Sequence, residues 1–397
     1  MEYLHPGVYV EEIPSGSKVI EQVSTTIACF VGTAMKGPVG EANRITSFTE
    51  YTDIHGLISS ESDAMGFAIK VFFMNGGTAA YVCRLIGDLT VTSSGESSDP
   101  TAIDFKIFYS NVLSKIADIS TIVVPGEHWA EDGTGNSILS ETINHCENLK
   151  TRMLIIDPPL NFEINRSLKV SQMNLPSSPN CVLYYPWVGI KNPFYNVNDP
   201  LQSHKNTLIA PSALAAGVWS KIDNKRGVWK APAGAEANLM GVEDLQYAVG
   251  NEEQGEINPL GVNCFRLFSG IGQVVWGMRT LAIRTSSDWR YIPVRRTANM
   301  IEQSIYQSTQ WTVFELNDHR LWSMLKSSIG NFLNELFRSG AFQGEKYSDA
   351  YFVRCGLGET MTQGDIAENR VIIEIGFAPM KPAEFVIIRI QQKTLLP

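Results

Sequence analysis

Short runs of consecutive apolar residues alternate along this chain with longer stretches in which apolar residues recur every three or four positions. Residues 27–32, 81–86, 121–125 and 152–158 are runs of the first kind, and 181–185 repeats the pattern. Such runs suit strands buried on both faces, as in a parallel sheet. Residues 62–75, 104–117 and 137–150 carry helical spacing, and 212–221 reads as a further helix. Strand–helix–strand order at these lengths predicts right-handed βαβ crossovers. Residues 25–264 are therefore expected to form an α/β domain with a mostly parallel sheet, interrupted by polar loops at 93–100, 161–179 and 250–256.

The two ends follow different patterns. Pro6-Gly7-Val8-Tyr9-Val10-Glu11-Glu12-Ile13-Pro14 is a β-type run bracketed by prolines, with Ser15-Gly16-Ser17 as a joint, so residues 1–24 read as an arm. A lone strand leaves its backbone groups unpaired and must find a partner in its own domain or in another chain. Residues 265–382 read as a second, α+β domain. There 289–296 is expected to be an edge strand, because Pro293 cannot donate to a ladder, and 297–310 a helix.

Residues 318–339 are sharply amphipathic. Leu321, Trp322, Leu325, Ile329, Phe332, Leu333, Leu336 and Phe337 fall on one face, and Arg320, Ser327, Asn331, Asn334 and Arg338 on the other. Arg320 and Arg338 are five turns apart, so they point the same way about 27 Å from each other. Residues 350–355 and 370–377 are strand-like. Residues 385–390 are apolar on both faces, which exposed alone would be an aggregation hazard, so 383–397 is expected to pair within an assembly.

Composition narrows the function. The 397 residues suffice for two or three domains. A hydrophobic content of 44% against 18% charged residues excludes a disordered chain, and a formal charge of −9 argues against a duplex nucleic-acid binder. Cys29, Cys83, Cys146, Cys181, Cys264 and Cys355 form no Cys-x-x-Cys pair and read as reduced, buried apolar residues. No signal peptide and no membrane span are expected, since the first residues lack a basic and then apolar stretch and no run approaches ~20 apolar residues.

Catalytic motifs are hard to find. In Ser269-Gly270-Ile271-Gly272-Gln273-Val274-Val275-Trp276-Gly277 the third glycine falls two positions too late for a dinucleotide fingerprint, and the segment reads as a tight turn leading into a helix. There is no Walker-type or Gly-x-Ser-x-Gly motif, and His5, His55, His128, His145, His204 and His319 sit in unrelated contexts. Asp157, at a strand end before Pro158-Pro159, stands where an α/β enzyme places a catalytic group, but it reads better as a turn residue. No cofactor, metal or enzymatic activity is expected. The alternative, an α/β hydrolase or cofactor-dependent enzyme, requires polar side chains converging at the strand C-termini.

Several blocks together resemble the contractile tail sheath family. They are the N-terminal 6–16 and 23–32, Val275-Trp276-Gly277-Met278-Arg279-Thr280-Leu281, Trp289-Arg290-Tyr291-Ile292-Pro293-Val294-Arg295-Arg296, Val313-Phe314-Glu315-Leu316-Asn317, and Ala378-Pro379-Met380-Lys381-Pro382-Ala383-Glu384-Phe385. Leu316 stands where the family commonly has proline, and Phe342 where leucine is usual. The short 91–120 region resembles the compact sheaths of contractile bacteriocins and extracellular injection systems.

The resemblance implies a mechanical subunit that stacks as hexameric rings around an inner tube and contracts to drive it through a target envelope. The implied partners are further copies, the inner tube protein, baseplate and terminal cap proteins, and paralogous sheath subunits, with no nucleic acid and no membrane insertion. It further implies assembly in the bacterial cytoplasm and a place in a virion tail or a released tail-like particle. The arms 1–24 and 383–397 would donate strands to neighbouring subunits through Val8, Tyr9, Val10 and Ile13, and through Phe385, Val386, Ile387, Ile388 and Ile390. Tyr351, Val353, Val371, Ile373 and Ile375 would accept them. The domain 265–382 would face the tube, with Arg320, Lys326 and Arg338 meeting acidic groups on it.

Overall fold

A computed structural model describes residues 18–87, 99–160, 162–163, 167–198, 204–282 and 288–384. It divides the chain into two units, Val23–Glu302 with Met380–Pro397, and Met1–Gln22 with Gln303–Pro379.

The larger unit is built on strands β1 (Ala28–Gly32), β2 (Asn43–Ile45), β3 (Ala80–Arg84), β4 (Thr121–His128), β5 (Met153–Asp157), β6 (Cys181–Tyr185), β7 (Val188–Lys191), β8 (Asn206–Ile209), β9 (Val242–Leu245), β10 (Val262–Phe268) and β11 (Gly272–Trp276). Eight of them form one sheet in the order β11-β10-β6-β5-β4-β1-β3-β2, and β8-β7-β9 form a small second sheet. The six inner strands of the large sheet run parallel, with antiparallel β2 and β11 at its edges.

Strand periodicity divides the core in two. Phe30, Val82, Val123, Ile155, Val182 and Tyr184 face helices Ala64–Met74 and Pro211–Arg226. Cys29, Val31, Cys83, Ile122, Leu154, Ile156, Cys181 and Leu183 face helices Ala102–Asn111 and Ser137–Leu149. The apolar runs are therefore continuous because both faces are covered. Gly217 lets two helices pack closely: a Cβ there would lie 2.6 Å from the Phe72 carbonyl oxygen. All six cysteines are free and buried, as expected.

Three expectations are corrected. The segment 289–296 is not an edge strand. Its first residues make brief pairings, Thr280 N–H to the Arg290 carbonyl (2.8 Å) and Ile292 N–H to the Met278 carbonyl (2.9 Å), and helix Ile292–Ser308 then begins. Pro293 sits in the first turn of that helix, where a missing N–H leaves no bond unmade. The glycine-containing turn at 269–271 leads into a strand, closing the β10–β11 hairpin, rather than into a helix. Because both strands of that hairpin pair into the large sheet, the chain does not divide between residues 264 and 265; the division falls inside helix Ile292–Ser308.

In the smaller unit, helix His319–Arg338 is capped by Asp318, whose carboxylate accepts from the N–H groups of Arg320 and Leu321 at 3.0 Å each. Leu321, Trp322, Leu325, Ile329, Phe332, Leu333 and Leu336 are buried, as the pattern predicts, and Phe337 is half-buried. Leu321, Trp322 and Leu325 share a core with Cys355 and Met361. Strands β12 (Tyr351–Arg354) and β13 (Glu374–Phe377) complete the unit.

Asp157 is a buried anchor. It ends β5 and accepts from Ser212 N–H (2.8 Å) and Ser212 Oγ (2.6 Å), which pins the first turn of helix Pro211–Arg226 to the sheet. Burial pushes its carboxyl up to about 7, against the opposing pull of the two Ser212 bonds. Between the ordinary value of 3.8 and about 7 only the folded chain keeps this proton, so the contribution of Asp157 to stability is full below that window and is lost as pH rises through it. The stability difference between wild type and Asp157→Asn, from urea denaturation, should therefore shift against wild type with rising pH, by up to about 1.4 kcal/mol per pH unit. A difference independent of pH between 4 and 7 would contradict this assignment.

Candidate assembly interface

The ladder β12–β13 pairs Tyr351 with Phe377, Phe352 with Gly376, Val353 with Ile375 and Arg354 with Glu374. Its exposed face is tied together by side chains. The Phe352 ring lies across Gly376, where a Cβ would come within 2.2 Å of it. The Arg354 guanidinium stacks on Phe352 at 4.7 Å and pairs with Glu374 at 3.6 Å. From the other face the Tyr351 hydroxyl donates to the Gly330 carbonyl of helix His319–Arg338 (3.3 Å). Past the end of β13 the chain meets Phe342 and Gln343, the latter donating to the Ala378 carbonyl at 2.9 Å. Beyond that, no other described strand pairs with β12 or β13.

Tyr351, Val353 and Ile375 therefore lie on the open ladder, but Val371 and Ile373 do not. Arg370 N–H donates to the Asp365 carbonyl (2.9 Å) and the Ile372 carbonyl accepts from Thr360 Oγ1 (2.7 Å). The chain thus curls before β13, and Val371 and Ile373 pack on the Leu321–Trp322 core. Val8, Tyr9, Val10, Ile13, Phe385, Val386, Ile387, Ile388 and Ile390 lie outside the described residues.

On helix His319–Arg338, Arg320 and Arg338 are exposed, and neither meets a carboxylate within 4 Å among the described residues. Lys326 differs: it is half-buried and pairs with Glu359 at 3.4 Å. The exposed Glu335 interrupts the face, so its positive charge concentrates at the two ends.

The structure adds two sites that sequence reasoning missed. At the root of the N-terminal segment, Arg296 forks onto Asp223 at 3.0 and 2.6 Å and stacks on Trp219 at 4.5 Å. Thr25 is held by both members of this pair, its carbonyl accepting from Arg296 (2.9 Å) and its hydroxyl donating to Asp223 (2.6 Å). At the root of the C-terminal segment, Glu384 accepts from Arg279 Nε (2.8 Å) and Nη2 (2.7 Å), Asn258 Nδ2 (2.9 Å) and the Tyr291 hydroxyl (3.1 Å). Burial alone would raise the Glu384 carboxyl. The bonds from Arg279 and Asn258 and the guanidinium charge outweigh it and hold the group below the usual carboxylate range. The only signal in the sequence was that Arg279, Tyr291 and Glu384 each fall in a block carrying the family resemblance.

A cavity of about 660 Å³ lies near the C-terminal ends of β4 and β5, between Phe67, Pro125, Leu160, Trp187, Leu208 and Ala213. Most of the lining is apolar, with Glu61, Ser62, His204, Asn206, Thr207 and Ser212 supplying its polar part. Among the described residues no three His, Cys, Asp or Glu side chains are grouped to hold a metal ion, and no helix is long and apolar enough to cross a membrane.

Comparison with known proteins gives a consistent answer. Residues 108–281 match the phage tail sheath protein central domain, and residues 284–393 the phage tail sheath C-terminal domain. The chain is 23% identical to the tail sheath protein of Vibrio phage KVP40 over 87% of its own length, and 29% identical to that of Burkholderia phage BcepMu over 43%. It spans 54% and 35% of those two relatives. Among solved structures it is similar to a PVC sheath complex of an extracellular contractile injection system in the contracted state (29% identity, TM-score 0.77, 99% of each chain). It is likewise similar to the contracted helical sheath of the anti-feeding prophage (30% identity, TM-score 0.76, 99% of this chain and all of that one). With two family models in tandem and end-to-end structural likeness at this identity, the chain belongs to the contractile tail sheath family.

Proposed function

We propose that the chain polymerises with copies of itself as stacked hexameric rings around an inner tube, and contracts to drive that tube through a target envelope. The observation that carries this reading is the β12–β13 ladder, a two-stranded sheet with unclaimed edges among the described residues. A pair of strands is marginal alone and invites addition of further strands. The terminal runs 8–13 and 385–390 have the composition of donors, so neighbouring subunits would be linked by backbone hydrogen bonds while their bodies rotate. Residues 1–24 and 383–397 are the proposed arms. Baseplate, terminal cap and paralogous sheath proteins are the remaining proposed partners, with assembly in the bacterial cytoplasm and a final place in a virion tail or released particle.

Arg320 and Arg338 are the proposed tube contacts, with Lys326 secondary because Glu359 already engages it. Exposed ion pairs contribute only ~0–1 kcal/mol each. That magnitude suits an interface held by many copies and released on contraction.

Deleting residues 1–16 or 385–397 should leave soluble, folded subunits that form no long helical tubes in electron micrographs; tubes of normal length from either truncation would contradict strand exchange. The double substitution Arg320→Glu, Arg338→Glu should reduce co-assembly with the tube protein while tube-free sheath still forms. Undiminished co-assembly would place the tube contact on another surface.

A further inference from the structure

Each end of the chain enters the larger unit at a buried arginine–carboxylate pair, but the two pairs differ in what they hold. At the N-terminal root both charges belong to the folded body, Asp223 on helix Pro211–Arg226 and Arg296 on helix Ile292–Ser308, and they hold the carbonyl and hydroxyl of Thr25, the residue that follows the arm. At the C-terminal root the carboxylate belongs to the arm itself. Glu384 directly precedes the apolar run 385–390, and its two oxygens are satisfied by Arg279, Asn258 and Tyr291. Both side chains of the ion pair are largely sheltered, 12% exposed for Arg279 and 13% for Glu384.

We infer that Arg279 and Glu384 form an arm-root clamp that positions the C-terminal strand donor for capture by the neighbouring subunit. The inference rests on the strand-exchange reading and names the residues that make such exchange efficient. Forked arginine–carboxylate geometry fixes direction as well as distance. Asn258 completes the grip, because its carbonyl also accepts from Arg279 Nη1 at 3.0 Å and so orients the guanidinium. A donor strand leaving from a fixed point is presented at a higher effective concentration to its acceptor than one swinging from Pro379, the last residue of the smaller unit. The clamp's anion sits on the arm and its cation on the body, so removing the anion leaves the sheltered Arg279 guanidinium uncompensated. Glu384 is thus a positioning residue, acting through the strand that follows it.

The test compares Glu384→Ala, the exchanged pair Arg279→Glu with Glu384→Arg, and an insertion of Gly-Ser directly after Glu384, all in the full chain. Subunit integrity is read by thermal melting and sheath length by electron microscopy. Glu384→Ala should lower the melting temperature, because Arg279 loses its anion, and give sheaths shorter by about tenfold, since each added subunit depends on capture of the arm. The exchanged pair should recover length. The insertion, which leaves the clamp intact and displaces only the donor, should shorten sheaths without moving the melting temperature, an effect that a merely stabilising ion pair would not produce. Wild-type lengths from Glu384→Ala overturn the clamp even where deletion of 385–397 abolishes sheaths. Recovery of melting without recovery of length in the exchanged pair also overturns it. Normal lengths from the deletion overturn the strand-donor reading itself.

Discussion

Every backbone N–H and C=O in a strand needs a partner, and this requirement is met very differently by the large sheet and by the β12–β13 ladder. The large sheet closes its own edges. On one side it ends in β2, three residues long. On the other, residues 234–239 lie along β11: Gly234 and Leu239 donate to the carbonyls of Val275 and Gln273, and Val275 donates to that of Ala237, at 2.9 to 3.0 Å. A short edge and a covered edge are standard protections against adding strands. The β12–β13 ladder, of two four-residue strands, has no covering segment along its edges among the described residues, and its outer face carries the Phe352–Gly376 contact, the Arg354–Phe352 stack and the Arg354–Glu374 pair. The contrast within one chain argues that the open edges of the small ladder are a designed feature of the subunit.

Charge is distributed on the same logic. Asp157 and Asp223 are buried in the larger unit and both are pushed up by burial; one is held by Ser212 and the other by Arg296 and Thr25. Asp157 fastens the first turn of helix Pro211–Arg226 to the sheet, and Asp223 ties the far end of that helix to helix Ile292–Ser308 and to Thr25. Glu384 is shifted the other way, since its partners favour the charged form enough to overcome burial. Separating either ion pair, Arg296–Asp223 or Arg279–Glu384, would leave a largely buried charge uncompensated.

How much of this was legible in the sequence depended on the range of the interaction that fixes each element. Strands β1, β3, β4, β5 and β6 were readable because burial on both faces writes itself into consecutive residues. The amphipathic face of helix His319–Arg338 was readable for the corresponding reason at helical period. Strands β7, β8 and β9 have four residues each and carry no pattern long enough to register. Pro293 misled because the same missing donor is tolerated at a sheet edge and in a helix's first turn, and only tertiary context separates them. Val371 and Ile373 alternate as a strand would, but Thr360 and Asp365 take their neighbours' backbone groups. The Arg279–Glu384 pair joins residues 105 apart and leaves no local trace.

An assembly that grows without closing on itself requires a donor surface different from its acceptor surface, since a self-complementary patch ends in a dimer. On the proposed exchange this condition is met within one chain: the acceptor ladder is formed by 351–354 and 374–377, while the donors are the chain's two ends. Using both ends gives each subunit two outgoing links, and the ladder has two edges to receive them. A backbone-to-backbone link of this kind depends little on side-chain identity and tolerates rotation about the arm, so it can persist between two packings of the same bodies. On the same proposal, weak and exposed tube contacts at Arg320 and Arg338 would be exchanged during the change without disconnecting the polymer, a division of labour that suits a contracting sheath.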